Sequence, residues 1–296
     1  MTVLILKTKN RKDKNMGISI QTNYANLVAQ NTLLGTNGDL TKSLERLSTG
    51  FRINSASDDA AGLQIANRLE IQNRGMGVAS SNAQSAISMM QTAEGALDEA
   101  TNIAFRMNDL ATQASNATTS TEDKKAITTE FVALNTELSS IMNNTSFGDQ
   151  KLLGAAGAFG TGKVSFQVGA TVAEKLDVDI STAVTKLSTD AATLGALDFE
   201  ANAGDADTAI GSVKTLINDL SSVRSSFGAN VNRLEHTITN LGNMQEQTAN
   251  ARSRIMDTDF ASESAAMSKS QMLMQAGASM LGASKMSSQL AMSMLG

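Results

Sequence analysis

A chain of 296 residues with no proline, no tryptophan, one tyrosine and 3% aromatic residues is poorly equipped to fill a globular core with large rings, and it lacks the commonest helix breaker. Its formal charge of -5 argues against the concentrated basic face that duplex nucleic acid requires. The absence of cysteine excludes a disulfide framework, a thiol nucleophile and a thiolate metal site. What remains is a sequence rich in Ala, Ser, Met and Leu. The expected class is mainly α, with long helices in a coiled-coil or helical-bundle rod and a small β-hairpin region.

In chain order, residues 1–15 carry an apolar run, Val3 to Leu6, before a basic one, Lys7 to Lys14. That order reverses a secretory signal and is too short to span a bilayer, so these residues read as a disordered leader or a misassigned start. From Ile20, apolar or small residues at Tyr24, Leu27, Asn31 and Leu34 alternate steps of four and three, a heptad seam. After a stutter at Gly35 to Gly38, Leu40, Leu44 and Leu47 resume it. The far end repeats the rhythm at Leu273, Ala276, Met280, Ala283, Ser287, Leu290 and Met294. Neither stripe is buried by its own helix, so the termini pair with each other or with copies from other chains.

Between the first and second helices lies a joint. Gly50 suits a left-handed helix end, Phe51 and Ile53 alternate as extended chain, and Asn54 and Ser55 favour a turn. Ser57, Asp58 and Asp59 offer an N-cap and an acidic first turn to a new helix. The seam of that helix is unbroken: Met76, Ala79, Ala83, Ala86, Met90, Ala93, Leu97, Ala100, Ala104, Met107, Ala111 and Ala114. From Ala60 to Ser115 it would reach about 80 Å. A loop at Asn116 to Ser120 and a capping box of Thr119 with Glu122 introduce a third helix, with its seam at Ile127, Phe131, Leu134, Leu138 and Ile141. Between Ser146 and Phe199 the pattern changes. KVSFQVGA and EKLDVDI alternate like two strands of a hairpin, with loops around them. From Asp205 a fourth helix places Val213, Ile217, Leu220, Phe227, Val231, Leu234, Ile238 and Leu241 on one face, and DTDF at Asp257 to Phe260 leads into the C-terminal helix.

Little of this can carry chemistry. GAFGTGKV, Gly157 to Val164, has part of a phosphate-loop spacing, but Val164 stands where Ser or Thr would hold magnesium and a strand follows where a helix should. His236 is the single histidine and sits in a helical stripe, so neither a zinc site nor a Ser-His-Asp triad has support within the chain. Asp177 with Asp179, and Asp205 with Asp207, lack the rest of a calcium loop. No cofactor, metal or catalytic residue is expected. The C-terminal helix is methionine-rich but carries only Lys269 and Lys285 on its polar face, which fits adaptable packing in a polymer better than insertion in a membrane.

The stretch FRINSASDDAAGLQIANR closely resembles the N-terminal signature of bacterial flagellin. The resemblance runs from Met16 to about Leu153 and resumes from about Phe227 through ANARSRIMDTDFASESAAMSKSQMLMQAGASMLG to the end. It implies a subunit that polymerises into the flagellar filament after type III export, in a short form without large outer variable domains. A related hook-filament junction protein is the alternative. The implied domains are 16–49 with 257–296 as the terminal coiled coil, 50–62 as the joint, 63–145 with 200–256 as the helical rod, and 146–199 as hairpin and loops. The implied partners are the chain itself in a helical homopolymer, sister flagellins, an export chaperone at the C-terminal helix, the filament cap and junction proteins, and a host Toll-like receptor. By the same resemblance Arg106, Leu110, Gln113 and Glu130 fall on the receptor patch. Phe51, Arg52, Ile53, Asn54, Asp58 and Asp59 are expected to fix the joint. The expected polymer seam is Ile20, Tyr24, Leu27, Leu34, Leu273, Ala276, Met280, Leu290 and Met294.

Overall fold

The structure is a computed structural model that describes residues 23–200, 202 and 204–293, the side chains of 287–293 excepted. Six helices, α1 (Tyr24–Thr49), α2 (Ala60–Ala114), α3 (Thr121–Asn144), α4 (Ser181–Leu194), α5 (Asp205–Met256) and α6 (Phe260–Ser293), account for most of it. Two short antiparallel hairpins interrupt them: β1 (Ser146–Phe147) with β2 (Gln150–Lys151), and β3 (Val164–Gln167) with β4 (Lys175–Val178). The chain divides into two compact units. One combines residues up to Ala66 with those from Ser253 onward, and the other is Asn67–Arg252.

The larger unit is built on the α2 stripe. All twelve seam positions from Met76 to Ala114 are at most 1% exposed. Alanine at eight of these places lets neighbouring backbones approach closely, so the packing is set by small residues with Met and Leu between them. Against the stripe lie Phe131 and Leu138 of α3 and Val213, Leu220, Phe227 and Leu234 of α5, each completely buried. Edge-to-face ring pairs tie the irregular segments down: Phe199 on Phe131 with centroids 5.0 Å apart, and Phe159 on Phe227 at 4.9 Å. The expected hairpin forms from the two expected segments, with Val164 opposite Val178 and Phe166 opposite Leu176.

Two local expectations need correction. The cap of α3 is one residue later than Thr119 and Glu122: the Ser120 hydroxyl accepts from the Asp123 amide at 3.2 Å, and the Asp123 carboxylate accepts from the Ser120 amide. Serine is as good a cap as threonine, so the sequence alone does not separate the two registers. The segment 146–199 also holds more than a hairpin and loops. Val184, Leu187, Ala191 and Leu194, at steps of three and four, make α4 a buried helix.

The smaller unit pairs α1 with α6. Its cluster of buried apolar side chains consists of Ile53, Ala66 and Met256, with Phe51, Leu63 and Ile255 against it. Beyond that cluster the helix pair buries small and polar side chains, among them Thr36, Ser43 and Ser270.

Candidate functional site

The terminal helix pair has two faces with different chemistry. On α1 the positions turned toward α6 are Ala29, Leu33, Thr36, Leu40, Ser43 and Leu47; on α6 they are Met267, Ser270, Met274, Gly277, Leu281 and Ser284, all partly or fully buried. Both sets step by three and four, as two antiparallel helices in contact must. Asn23 donates to the Ser284 hydroxyl at 3.1 Å near one end, and Arg46 pairs with Glu263 at 3.6 Å near the other. At Gly277 the helices come close enough that a Cβ would lie 3.0 Å from Leu33 Cγ.

The expected seam is a different stripe. Tyr24 is 72% exposed, Leu27 49%, Leu34 66%, Leu273 50% and Met280 66%, and Ala276 is exposed beside them. Pairing between the termini therefore occurs through a stripe in which small residues alternate with Leu and Met, and the expected seam residues face outward. The small residues Thr36, Ser43 and Ser270 are the fully buried ones, and the Leu and Met of the same stripe stay partly exposed beside them. An apolar groove of about 500 Å³ opens on this outer side, lined by Tyr24, Val28, Leu33, Leu273, Ala276 and Met280. Ile20 and Met294 lie outside the described residues, as does the side chain of Leu290.

The joint is held mainly by backbone. Gly50 ends α1 at φ +75°, its amide donating to the Arg46 carbonyl at 2.9 Å, a conformation in which a Cβ would be strained. Residues 50–52 then run beside 255–258. The Arg52 amide donates to the Met256 carbonyl at 2.6 Å, the Thr258 amide to the Gly50 carbonyl at 2.9 Å, and Phe51 bridges Asp257. The Arg52 guanidinium adds a bond to the Ile255 carbonyl at 2.8 Å. Ile53 inserts at 2% exposure against Ala66 and Met256.

Asp58 closes the turn that follows. Its carboxylate accepts from the amides of Asn54 at 3.1 Å and Ser55 at 3.2 Å, and pairs with Lys42 of α1 at 2.7 Å. The Lys42 ammonium, with those two amides, holds the Asp58 carboxyl far below the usual carboxylate range. Asp59 takes the separate task of capping α2, accepting from the Gly62 amide at 2.9 Å. Asn54 donates its side-chain amide to the Phe51 carbonyl at 3.2 Å. All six expected joint residues thus meet within one unit, and the sequence reading missed their carbonyl partners at Ile255 and Met256, which no side-chain pattern signals.

The patch on α2 and α3 is only partly on the surface. Arg106 is exposed and grips Glu130 through Nη2 at 2.6 Å and Nε at 3.0 Å, and Gln113 is exposed. Leu110 is 2% exposed and belongs to the main core, so it lies beneath the expected patch and is not part of its surface. The step from 106 to 110 is 400°, and the extra 40° turns Leu110 toward the core-facing stripe. Phe105, 52% exposed, is the large apolar side chain that does stand out beside Arg106.

Among the described residues no helix is long and apolar enough to cross a membrane, and no three His, Asp or Glu residues are placed to hold a metal ion. A cleft of about 550 Å³ in the larger unit, between α2, the β3–β4 turn and α5, has Arg68 and Glu174 as its only charged lining residues.

Comparison with known proteins accounts for this arrangement. Residues 20–158 match the bacterial flagellin N-terminal helical region and residues 210–295 match the bacterial flagellin C-terminal helical region. The chain is 33% identical to Flagellin A of Vibrio cholerae serotype O1 and 35% identical to Flagellin A of Vibrio anguillarum, over 95% of this chain and 100% of each relative. Those alignments extend over 382 positions, more than the 296 residues present here, so the relatives carry segments that this chain lacks. A solved structure of a putative flagellar hook-associated protein from Vibrio parahaemolyticus, 15% identical, covers 68% of this chain and 100% of its own with a TM-score of 0.52, a likeness of fold alone. Matches to flagellins along nearly the whole length favour the filament subunit over the hook-filament junction protein: the chain belongs to the bacterial flagellin family.

Proposed function

We propose that this filament subunit assembles by burying the outer stripe of its terminal helices against other copies, and that the joint at residues 50–62 sets the angle at which the terminal pair is presented. The observation that carries the proposal is the exposure of Tyr24, Leu27, Leu34, Leu273 and Met280 on a helix pair whose inner contact is already made by a different stripe. Contiguous exposed apolar surface of this kind marks an interface. The terminal unit completes its burial only in the polymer, which couples ordering to growth.

Before assembly the same α6 face needs a cover, and an export chaperone that binds an amphipathic helix would supply it during passage to the outside of the cell. The filament cap and junction proteins are then the neighbours at the two ends of the polymer. For a host Toll-like receptor, the accessible part of the proposed patch is Arg106, Gln113 and Glu130, with Leu110 beneath them.

Removal of Ser270 to Gly296 tests the main proposal. The truncated chain is expected to remain a helical rod by circular dichroism and to form no filaments under negative-stain microscopy. Filaments of normal length from the truncated chain would overturn the assignment.

A further inference from the structure

The chain has sixteen methionines, and those whose side chains are described range from fully buried to well exposed. In the larger unit Met76, Met90, Met107 and Met142 are at most 2% exposed, whereas on α6 Met272 is 64% exposed, Met280 66% and Met286 62%. At 100° per residue, these three fall with Ala276 and Ala283 inside an arc of about 120°. The opposite side of α6 carries Ser270, Met274, Gly277 and Leu281, turned toward α1. Met280 also lines the apolar groove beside Tyr24. Three accessible thioethers therefore sit on the face that the filament reading requires to be apolar.

We propose that Met272, Met280 and Met286 form an oxidation site through which peroxide blocks the assembly of unpolymerised subunits. The inference rests on the reading that this α6 face is covered by other copies in the filament. The thioether sulfur attacks one peroxide oxygen, the O–O bond breaks, and a sulfur–oxygen bond forms. The second oxygen leaves as water, so the sulfur loses the two electrons that reduce the peroxide. The product is a polar sulfoxide in place of a flexible apolar side chain. Burying it without a hydrogen-bond donor is unfavourable, so the oxidised face no longer seals. A thiol-dependent methionine sulfoxide reductase reverses the change. Leucine at these positions would be inert, which makes the block a property of the methionines rather than of the helix.

The test treats monomeric subunits and finished filaments with graded hydrogen peroxide, maps sulfoxides by peptide mass spectrometry, and measures the critical concentration for polymerisation. In monomers the three α6 methionines should oxidise at least about tenfold faster than Met76, Met90, Met107 and Met142. Their oxidation should raise the critical concentration by about tenfold or more, and reductase treatment should restore it. In filaments they should be protected. A variant with M272L, M280L and M286L should polymerise and resist peroxide, whereas M244L, which removes the 38% exposed Met244 of α5, should leave the sensitivity unchanged.

Subunits fully oxidised at all three positions that still polymerise at the unmodified concentration would overturn the proposal. So would a triple variant that polymerises yet remains sensitive to peroxide. If the triple variant does not polymerise, the wild-type reductase arm decides, and failure to recover counts against the proposal. Equal reactivity in filaments and monomers would remove the covered-face reading as well. Protection in filaments with no effect of oxidation on growth would remove the redox inference alone.

Discussion

At the scale of single residues, Asp58 does the most in the joint. It satisfies two amides of the turn and the Lys42 ammonium of α1 at once. Its carboxyl is held below its ordinary value in the folded chain, so its stabilising contribution is complete above the unfolded carboxylate value of about 3.9 and declines as the pH falls further. The expected outcome is that amide exchange at Asn54 and Ser55, compared with neighbours in α2, accelerates below about pH 4 and is already fast at neutral pH in Asp58→Asn. Unchanged protection in the variant would remove Asp58 from this role. The 106 to 110 turn of α2 offers a second contrast. Leu110→Ala empties a core position and should cost about 2–5 kcal/mol in urea unfolding, while Arg106→Ala breaks an exposed ion pair and should cost less than about 1 kcal/mol. Joint residues were legible from capping and turn chemistry. The burial of Leu110 was not, because a spacing of four residues fits both the edge of a buried stripe and the exposed flank next to it.

At the scale of elements, α2 was the most legible part of the chain and α4 the least. A heptad rhythm held over twelve positions has one geometrical meaning, and every member of it is buried. The small side chains also make the seam intolerant: Ala93→Leu, at a site with no exposure, should destabilise the rod by about 1–3 kcal/mol through overpacking, read as a lower urea midpoint with helicity retained. In α4 the stripe Val184, Leu187, Ala191 and Leu194 is only 14 residues of helix long. Its start is marked by no side-chain cap from Ile180, and Asp179 binds the Ser181 amide and hydroxyl instead. With glycines and strand-like alternation just before it, the segment gave a weaker periodic signal than its neighbours. The α1 and α6 stripes taught the opposite lesson: each helix carries two faces with apolar residues at heptad spacing, and the expected one is not the face that packs within the chain.

At the scale of the whole molecule, the two units differ in what holds them. The larger one has a continuous apolar core contributed by α2, α3, α4, α5 and the β3–β4 hairpin, whereas the smaller has one modest cluster at the joint and an inner helix contact whose fully buried members are Thr36, Ser43 and Ser270. The isolated subunit should therefore melt in two steps in calorimetry, residues 24–49 and 260–293 losing structure first and being cut first in limited proteolysis. Polymerisation should raise that first step, because binding stabilises only the folded partner. A single cooperative transition in a verified monomer, with the termini as resistant as the rod, would contradict the coupling of folding to assembly. The sequence by itself determined the helical class and the long α2 seam, because local propensity and heptad period are written in consecutive residues, and the resemblance of its two end segments pointed to the family. Only the tertiary structure decided which of two stripes on each terminal helix is internal, that Leu110 lies in the core, and that residues 50–52 are tied to the carbonyls of 255 and 256. Those outcomes depend on contacts between distant segments: main-chain bonds leave no mark in the side-chain pattern, and two faces of one helix with the same period cannot be told apart along the chain.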